Sequence, residues 1–384
     1  MRFLRVFVLF LGFYNSVFSQ EERPLATAFP FLLLSPDATA SGRGDTGVAS
    51  TPDVFSQYWN ASKYVFAPEN SGVALGYTPY LSKVVRDVFI GNLCYYKKTH
   101  RSAWAGSFRY FSIGDVTLTQ GFNNDFYVLG NFRPSEFAFD LSYSLKLSEH
   151  YAMGVAARFL SSNLRLPTEE SYTARGLGFD ISGYYHSPKH LIGNYFGSYR
   201  FGFQVSNIGG KVQYENHGHA FFIPTNLRLG ISYTLLPDSY NRFELLLEMN
   251  KLLIPSPPKY HYTDHNGNGK QDADEPLEIV AGKNPNVDFF QGIFRSFSDA
   301  PNGFSEEWHE IAWSAGFEYA FDERFFLRTG YFYQHKNKGD RQYLTIGTGF
   351  KIKTLQADFS YLFSTAKTHN PLSSSLRISL QYTF

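Results

Sequence analysis

Glu136-Phe137-Ala138-Phe139-Asp140-Leu141-Ser142-Tyr143-Ser144-Leu145-Lys146-Leu147 decides the fold. Its odd positions are all large and apolar, and its even positions are small, polar or charged. A β-strand turns successive side chains to opposite faces, so this is one strand of a two-faced sheet. The pattern carries on after a short break. Tyr151, Met153, Val155, Ala157 and Phe159 alternate with Ala152, Gly154, Ala156 and Arg158, and Leu227, Leu229, Ile231, Tyr233 and Leu235 with Arg228, Gly230, Ser232 and Thr234. Segments of this length match what a tilted strand needs to cross a bilayer.

The cost of misplacing a charge identifies the lipid face. An Arg or Lys turned toward hydrocarbon at the midplane costs roughly 2–4 kcal/mol, and an acid somewhat less. Arg109, Glu136, Asp140, Arg158, Asp180, Arg228, Glu244, Glu318, Arg328, Asp358 and Arg377 therefore point inward, and the apolar parity faces lipid. A soluble β-sandwich would show the same alternation. The number and length of the strands, and the aromatic loading near strand ends, favour a membrane wall.

Fourteen such runs occur, near residues 72–80, 87–97, 103–113, 135–147, 149–161, 174–186, 199–207, 225–235, 241–251, 309–321, 324–334, 341–350, 353–363 and 375–384. An even count puts both barrel ends on the periplasmic side, as in single-chain bacterial barrels. The connections assigned to that side, at 147–149, 322–323 and 351–353, are tight turns. Those assigned outside are longer, including 114–134, 208–224 and 252–308, and only the stretch 187–198 breaks the rule. The fold class is thus all-β, a fourteen-stranded antiparallel transmembrane barrel spanning 72–384. Its last strand ends on an outward aromatic, Phe384.

Residues 1–19 read as a secretory signal peptide, with Arg2 and Arg5 before the apolar run Val6 to Phe13, and cleavage after Ser19. Removing those two arginines turns the formal charge from +1 to −1, which argues against a nucleic-acid partner. Cys94 is the one cysteine, so neither an internal disulfide framework nor a cysteine-rich metal site is available. The expected location is the outer membrane of a Gram-negative bacterium.

Residues 20–71 lack the strand pattern and are dense in turn chemistry, including Ser35-Pro36-Asp37, Ser41-Gly42-Arg43-Gly44-Asp45 and Thr51-Pro52-Asp53. A barrel of this girth leaves a lumen, and Phe29, Phe31 and Leu32 to Leu34 would be poorly solvated if left free. This stretch is expected to be a plug, or hatch, folded into the periplasmic side.

Three of its segments carry a family resemblance: Phe29-Pro30-Phe31-Leu32-Leu33-Leu34-Ser35-Pro36-Asp37-Ala38, then Gly42-Arg43-Gly44-Asp45-Thr46-Gly47-Val48-Ala49, then Trp59-Asn60-Ala61-Ser62-Lys63-Tyr64. They resemble the N-terminal signature of the PorV family of type IX secretion outer-membrane proteins. The resemblance continues through Ser206-Asn207-Ile208-Gly209, Ser298-Asp299-Ala300-Pro301 and the C-terminal strand. It implies a barrel like that of the long-chain fatty-acid transporter FadL. It also implies a role in binding the C-terminal signal domain of secreted cargo at a giant translocon barrel (SprA/Sov-like) and delivering it to a PorU-like cell-surface attachment complex. Outer-membrane lipid is the surrounding medium.

Asp264-His265-Asn266-Gly267-Asn268-Gly269-Lys270-Gln271-Asp272-Ala273-Asp274-Glu275 fits a twelve-residue calcium loop. Asp264, Asn266, Asn268, Asp272 and Glu275 would supply side-chain oxygens and Lys270 its carbonyl, with Gly269 at the sharp turn. A polar turn rich in Asn, Gly and Asp has the same composition. If calcium binds, it raises the protease resistance of loop 252–308, and identical digestion with calcium and with chelator would exclude it. In the same loop Phe289, Phe290, Ile293, Phe294 and Phe297 recur at helical spacing. They form either a small loop core or a partner-binding patch.

No catalytic residues are expected. His150, His186, His309 and His335 are the bases an outer-membrane lipid deacylase could use, and no nucleophile motif accompanies them. Uptake of a hydrophobic small molecule through a FadL-like lumen is the other alternative.

Overall fold

The computed structural model describes residues 23–80, 85, 87–122, 125–164, 173–215, 218–263, 276–366 and 375–384. Fourteen antiparallel strands close into one barrel: β1 (Ser71–Pro79), β2 (Val88–Lys98), β3 (Ser102–Ile113), β4 (Ser135–Lys146), β5 (Tyr151–Asn163), β6 (Ala174–His186), β7 (Tyr195–Ile208), β8 (Asn226–Leu236), β9 (Asn241–Leu252), β10 (Ile311–Phe321), β11 (Phe325–Tyr333), β12 (Gln342–Ile352), β13 (Leu355–Ser364) and β14 (Leu376–Thr383). Each strand pairs with its sequence neighbour, and β1 closes on β14 from Gly72↔Thr383 to Tyr77↔Ile378. Phe384 completes the seam, its carbonyl accepting from Ser71 N at 2.9 Å while its N–H donates to Ser71 O at 2.8 Å.

The parity assignment holds in three dimensions. All eleven charged residues assigned inward are buried, and the opposite parity forms an exposed apolar belt that includes Leu75, Phe139, Val155, Leu247 and Ile346. The tight turns gather at the end that carries Ser71 and Phe384, which is the periplasmic end. One of them places Asp322 and Glu323 at φ of 53° and 48°, the left-handed backbone a two-residue hairpin needs.

The stretch 187–198 is shorter than it looked. β7 begins at Tyr195, four residues before the alternation suggested, and pairs with His190–Ile192 in a hairpin below the barrel. At the other end of β7 the register against β6 slips between Val205 and Ile208. The bulge turns Asn207, at φ 58°, onto Asp180, whose Oδ1 accepts its N–H at 2.8 Å.

Outside, the long connections carry structure of their own. Val116–Phe122 pairs with Asp125–Phe132, Lys211–Val212 with Phe221–Phe222, and Lys259–His261 with Glu278–Ala281. Two short helices, Phe289–Arg295 and Phe304–His309, precede β10.

Residues 28–67 lie inside the barrel, with Arg23 and Pro24 before them and Pro68, Glu69 and Asn70 after them exposed. They contain the helices α1 (Ala38–Gly42) and α2 (Ser56–Trp59) and the 3-10 turns Pro30–Leu33 and Ala61–Phe66; the two outer helices are therefore α3 (Phe289–Arg295) and α4 (Phe304–His309). The segment was expected on the periplasmic side, but it runs the height of the lumen. Phe31 stacks on Phe111 at the outer end of β3 and Phe29 lies against Tyr214, whereas Ala67 meets Lys98 near the periplasmic end. The aromatic start of the segment finds its apolar partners only in the outer half.

Candidate functional site

The luminal segment is first tied to itself, by the residues of the sequence signature. Asp37 caps α1 by accepting from Ala40 N at 2.7 Å, and its other oxygen accepts from Trp59 Nε1 at 2.8 Å. Asn60 donates to the carbonyls of Val48 and Gly183, both at 2.9 Å. Lys63, fully buried, donates to Gly47 O at 2.8 Å and Ser50 Oγ at 2.9 Å. A Cβ on Gly47 would lie 2.2 Å from the Trp59 ring, so only glycine fits beneath it.

Inward side chains of the wall then hold this knot. Glu248 accepts from the Gly47 and Val48 amides at 2.8 and 3.0 Å, and Glu244 from Thr51 Oγ1 at 2.7 Å. Thr345 accepts from Gly44 N at 2.9 Å and Ser379 from Ala38 N at 2.8 Å. Arg43 reaches Glu318 at 3.3 Å, and Glu318 also binds Arg328 at 2.6 Å and Arg242 at 2.9 Å, with Asp358 beyond Arg328 at 2.7 Å. Buried charges must be paired, and here the pairing partners come from five separate parts of the chain, the luminal segment and strands β9, β10, β11 and β13.

Above the knot a luminal cavity of about 470 Å³ opens toward the outer end, walled by Phe31, Leu34, Phe111, Leu252 and Phe332 with Arg228 and Arg341 among its polar groups. Tyr58 lines it, with the Arg109 guanidinium 4.8 Å and the Arg228 guanidinium 4.6 Å from its ring centroid.

A latch of charges sits over the mouth. Lys251 pairs with Glu307 at 2.9 Å and Glu310 at 2.8 Å, and Lys338 with Glu306 at 2.6 Å and Glu310 at 3.0 Å. Glu307 also accepts from the amides of Asp299 and Ala300. The acids come from α4 and from Glu310 at its C-terminal cap, and the lysines from β9 and the β11–β12 turn, so the latch fixes the outer loop to the rim.

Asp299 is buried in this latch. Desolvation, reinforced by Glu307 and Glu310, pushes its carboxyl up to about 6 although Ser256 donates to it. A carboxyl raised in the folded state contributes stability that is complete below its unfolded value of 3.8 and is lost as pH rises through about 6. Asp299→Asn keeps the acceptor for Ser256 N without the charge. Hydrogen exchange of residues 255–263 and 296–303 at pH 8 is expected to slow roughly tenfold in this variant, one pKa unit's worth, with the difference vanishing near pH 4.

Four of the five residues singled out in the loop, Phe289, Phe290, Ile293 and Phe294, lie in a helix, and Phe297 follows its end. α3 is capped by Asp288, whose Oδ1 accepts from Gln291 N at 3.0 Å. Its contact side is Gly292, packed on Phe222 and Pro255. Phe290 and Phe294 therefore point away from the protein, exposed at 59% and 75%, and Phe297 is exposed at 51%, while Phe289 and Ile293 are half-buried. The loop-core alternative fails for three of the five. Asp264, Asn266, Asn268, Lys270, Asp272 and Glu275 lie outside the described residues, as do residues 1–19. The four histidines form two pairs at opposite ends of the barrel, His150 with His186 and His309 with His335, ring centroids 5.1 and 3.6 Å apart.

The latch and the charge chain were missed in the sequence. The spacing of Glu306, Glu307 and Glu310 on one helical turn was a usable signal for the first; Arg43 gave none for the second.

A family model described as type IX secretion system protein PorV matches residues 17–259. No curated protein sequence matches the chain. Among solved structures it is similar to the P. putida toluene transporter TodX, at 11% identity and TM-score 0.51 over 91% of this chain and 98% of that one. It is also similar to the CymD monoaromatic hydrocarbon channel, at 13% identity and TM-score 0.50 over 92% and 98%. Likeness at this identity establishes the FadL-like barrel and nothing of the ligand.

Proposed function

The chain belongs to the PorV family, outer-membrane components of type IX secretion, and from that premise we propose that it is a docking platform: it binds the C-terminal signal domain of secreted cargo at the translocon and delivers it to the cell-surface attachment complex. The observation that carries this reading is α3. Phe290 and Phe294 on this helix and Phe297 just beyond it, exposed on the outer side of a barrel stoppered by its luminal segment, are costly in water and useful to a partner. The filled lumen also speaks against a general pore, since Glu244, Glu248, Glu318 and Thr345 all hold residues 43–51 in place.

Pull-down of the tagged chain from outer membranes tests the reading, with co-recovery of a very large barrel and of cargo signal domains as the expected result. Changing Phe290 and Phe294 together to serine should lower cargo-domain recovery about tenfold or more, since clustered aromatic anchors are each worth 1–2 kcal/mol or above. Undiminished recovery from the double variant would remove α3 from the proposal.

The luminal cavity favours a second reading, binding of a small hydrophobic molecule, as the names of the TodX and CymD structures suggest for those proteins. Solvent extraction of the purified chain, followed by mass spectrometry, separates the two: a stoichiometric lipid or aromatic compound supports the second.

A further inference from the structure

Residues 23–27 are not part of the packed plug. Just after them the chain is bonded to the outer connection between β7 and β8: Ala28 N donates to Phe222 O at 2.9 Å and Phe29 N to Tyr214 Oη at 3.2 Å. At their other end Arg23 reaches the turn between β11 and β12, where its carbonyl accepts from Lys338 Nζ at 3.4 Å. Arg23, Pro24 and Ala26 are exposed, while Pro24 to Thr27 all line the luminal cavity. The luminal segment thus enters the barrel at its outer mouth and runs down to Asn70 at the periplasmic end. Its first residues form a strap along the cavity's outer side.

The strap is lightly held. Among the described residues the bond from Lys338 is the one hydrogen bond that residues 23–27 make. Where the strap joins the plug, Phe29 is fully buried at φ 49° and ψ 52°, a left-handed backbone that is strained for so large a side chain. A thinly bonded, exposed stretch beside a strained joint belongs to the low-stability end of a fold, the part that opens first.

Lys338 does more than hold this strap. The same ammonium lies 2.6 Å from Glu306 and 3.0 Å from Glu310, so one side chain ties α4, the β11–β12 turn and the strap together. An ammonium has three donors, and two carboxylates and one carbonyl engage them here. If α4 leaves the rim, both carboxylates go with it. The ammonium is then left with a single neutral carbonyl, and its flexible stem is free to carry it into water. Glu310 and Lys338 line the cavity beside the strap, so latch and strap are adjoining parts of one wall.

We propose that Arg23–Thr27 is a strap that closes the luminal cavity from the cell-surface side, and that Lys338 couples it to α4 so that loop helix and strap open together. This device goes beyond either reading of the function and holds under both.

Cysteine labelling tests the sidedness. Ala26→Cys should react in intact cells with a maleimide too large for porins, and Asn70→Cys only once the outer membrane is breached; Cys94 is buried and gives no background. Hydrogen exchange of the purified chain tests the coupling, read at the Ala28 amide, whose bond to Phe222 O is the first beyond the strap. Lys338→Met should speed this exchange about tenfold, as loss of a charged hydrogen-bonding group does, and Lys338→Arg, which keeps the cation, should stay near the wild-type rate. Lys251→Met loosens α4 through Glu307 and Glu310 without touching the strap, and should speed the exchange as well. Maleimide labelling of Ala312→Cys, a cavity-wall position 5% exposed, should rise in parallel in both methionine variants. Heat-modifiable gel mobility identifies the folded variants, and if Lys338→Met fails to fold, Lys251→Met decides. Silence of Ala26→Cys in intact cells, or labelling there equal to that of Asn70→Cys, would overturn the strap's position. Ala28 exchange unmoved by Lys251→Met would overturn the coupling, and Ala312→Cys labelling unmoved while Ala28 exchange rises would overturn the closure.

Discussion

Glu318→Ala is expected to destabilise the barrel by about 3–5 kcal/mol, the range found when one partner of a buried ion network is removed. Glu318 is buried, and three arginines converge on it: Arg328 from β11 at 2.6 Å, Arg242 from β9 at 2.9 Å and Arg43 from the luminal segment at 3.3 Å. Arg328 keeps Asp358, and Arg242 keeps Glu244 and Glu323. Arg43 is the one that suffers, because its remaining carboxylate, Asp53, stands 4.0 Å away. The loss should therefore appear in two places. Global unfolding in denaturant shifts to a lower midpoint, and residues around Arg43 become accessible to protease from the periplasmic side. Glu318→Gln, which keeps the shape and some of the hydrogen bonds, should fall between the wild type and the alanine variant. An unchanged midpoint for Glu318→Ala would mean that the network contributes geometry and not stability.

The strands were legible because a membrane wall imposes a strict rule on every second residue. Lipid excludes charge from one parity, and the filled lumen accepts it on the other, so Arg158 or Asp358 marks its face without any partner being known. The rule ends where the membrane ends. The hairpin Val116–Phe122 with Asp125–Phe132, and the extension of β7 to Tyr195, lie beyond the bilayer, and there neither parity is forbidden anything. The course of residues 23–70 was illegible for another reason. Turn residues reveal where a chain bends but not which wall it bends against, and Arg43 and Glu318 are separated by 275 positions. For α3 the period gave the helix, but exposure of Phe290 and Phe294 was decided by the contact of Gly292 with Pro255 at the start of its own loop and with Phe222 in the preceding outer loop.

Glycine content was visible from the start, yet its meaning is luminal, and it leads to the larger of the two expected effects. The turn at Arg43 and Gly44 lies in a slot made by three wall glycines on adjacent strands, Gly316, Gly330 and Gly347. A Cβ on Gly330 would stand 2.2 Å from the Arg43 carbonyl carbon and 2.3 Å from the Gly44 nitrogen, and one on Gly316 2.5 Å from Arg43 O. These neighbours are backbone atoms, so no side chain can swing aside. Gly330→Leu must displace the turn itself, which breaks the Arg43–Glu318 pair and the bond from Gly44 N to Thr345. Overpacking costs about 1–3 kcal/mol, and stranding a buried charge adds a comparable or larger amount. The cheaper outcome is for residues 42–48 to leave the wall while the barrel stays closed, because its strand pairing does not involve them. Gly330→Leu is therefore expected to turn a silent protein into one that conducts ions in planar bilayers, and to sensitise cells to antibiotics too large for the intact outer membrane. Gly91, which faces lipid and would place its Cβ 3.9 Å from the nearest atom, is the control: Gly91→Leu should leave conductance at the wild-type level. Silence from Gly330→Leu with unaltered heat-modifiability would show that the turn can shift within the lumen without opening it, and that the glycine slot sets its position but not the seal.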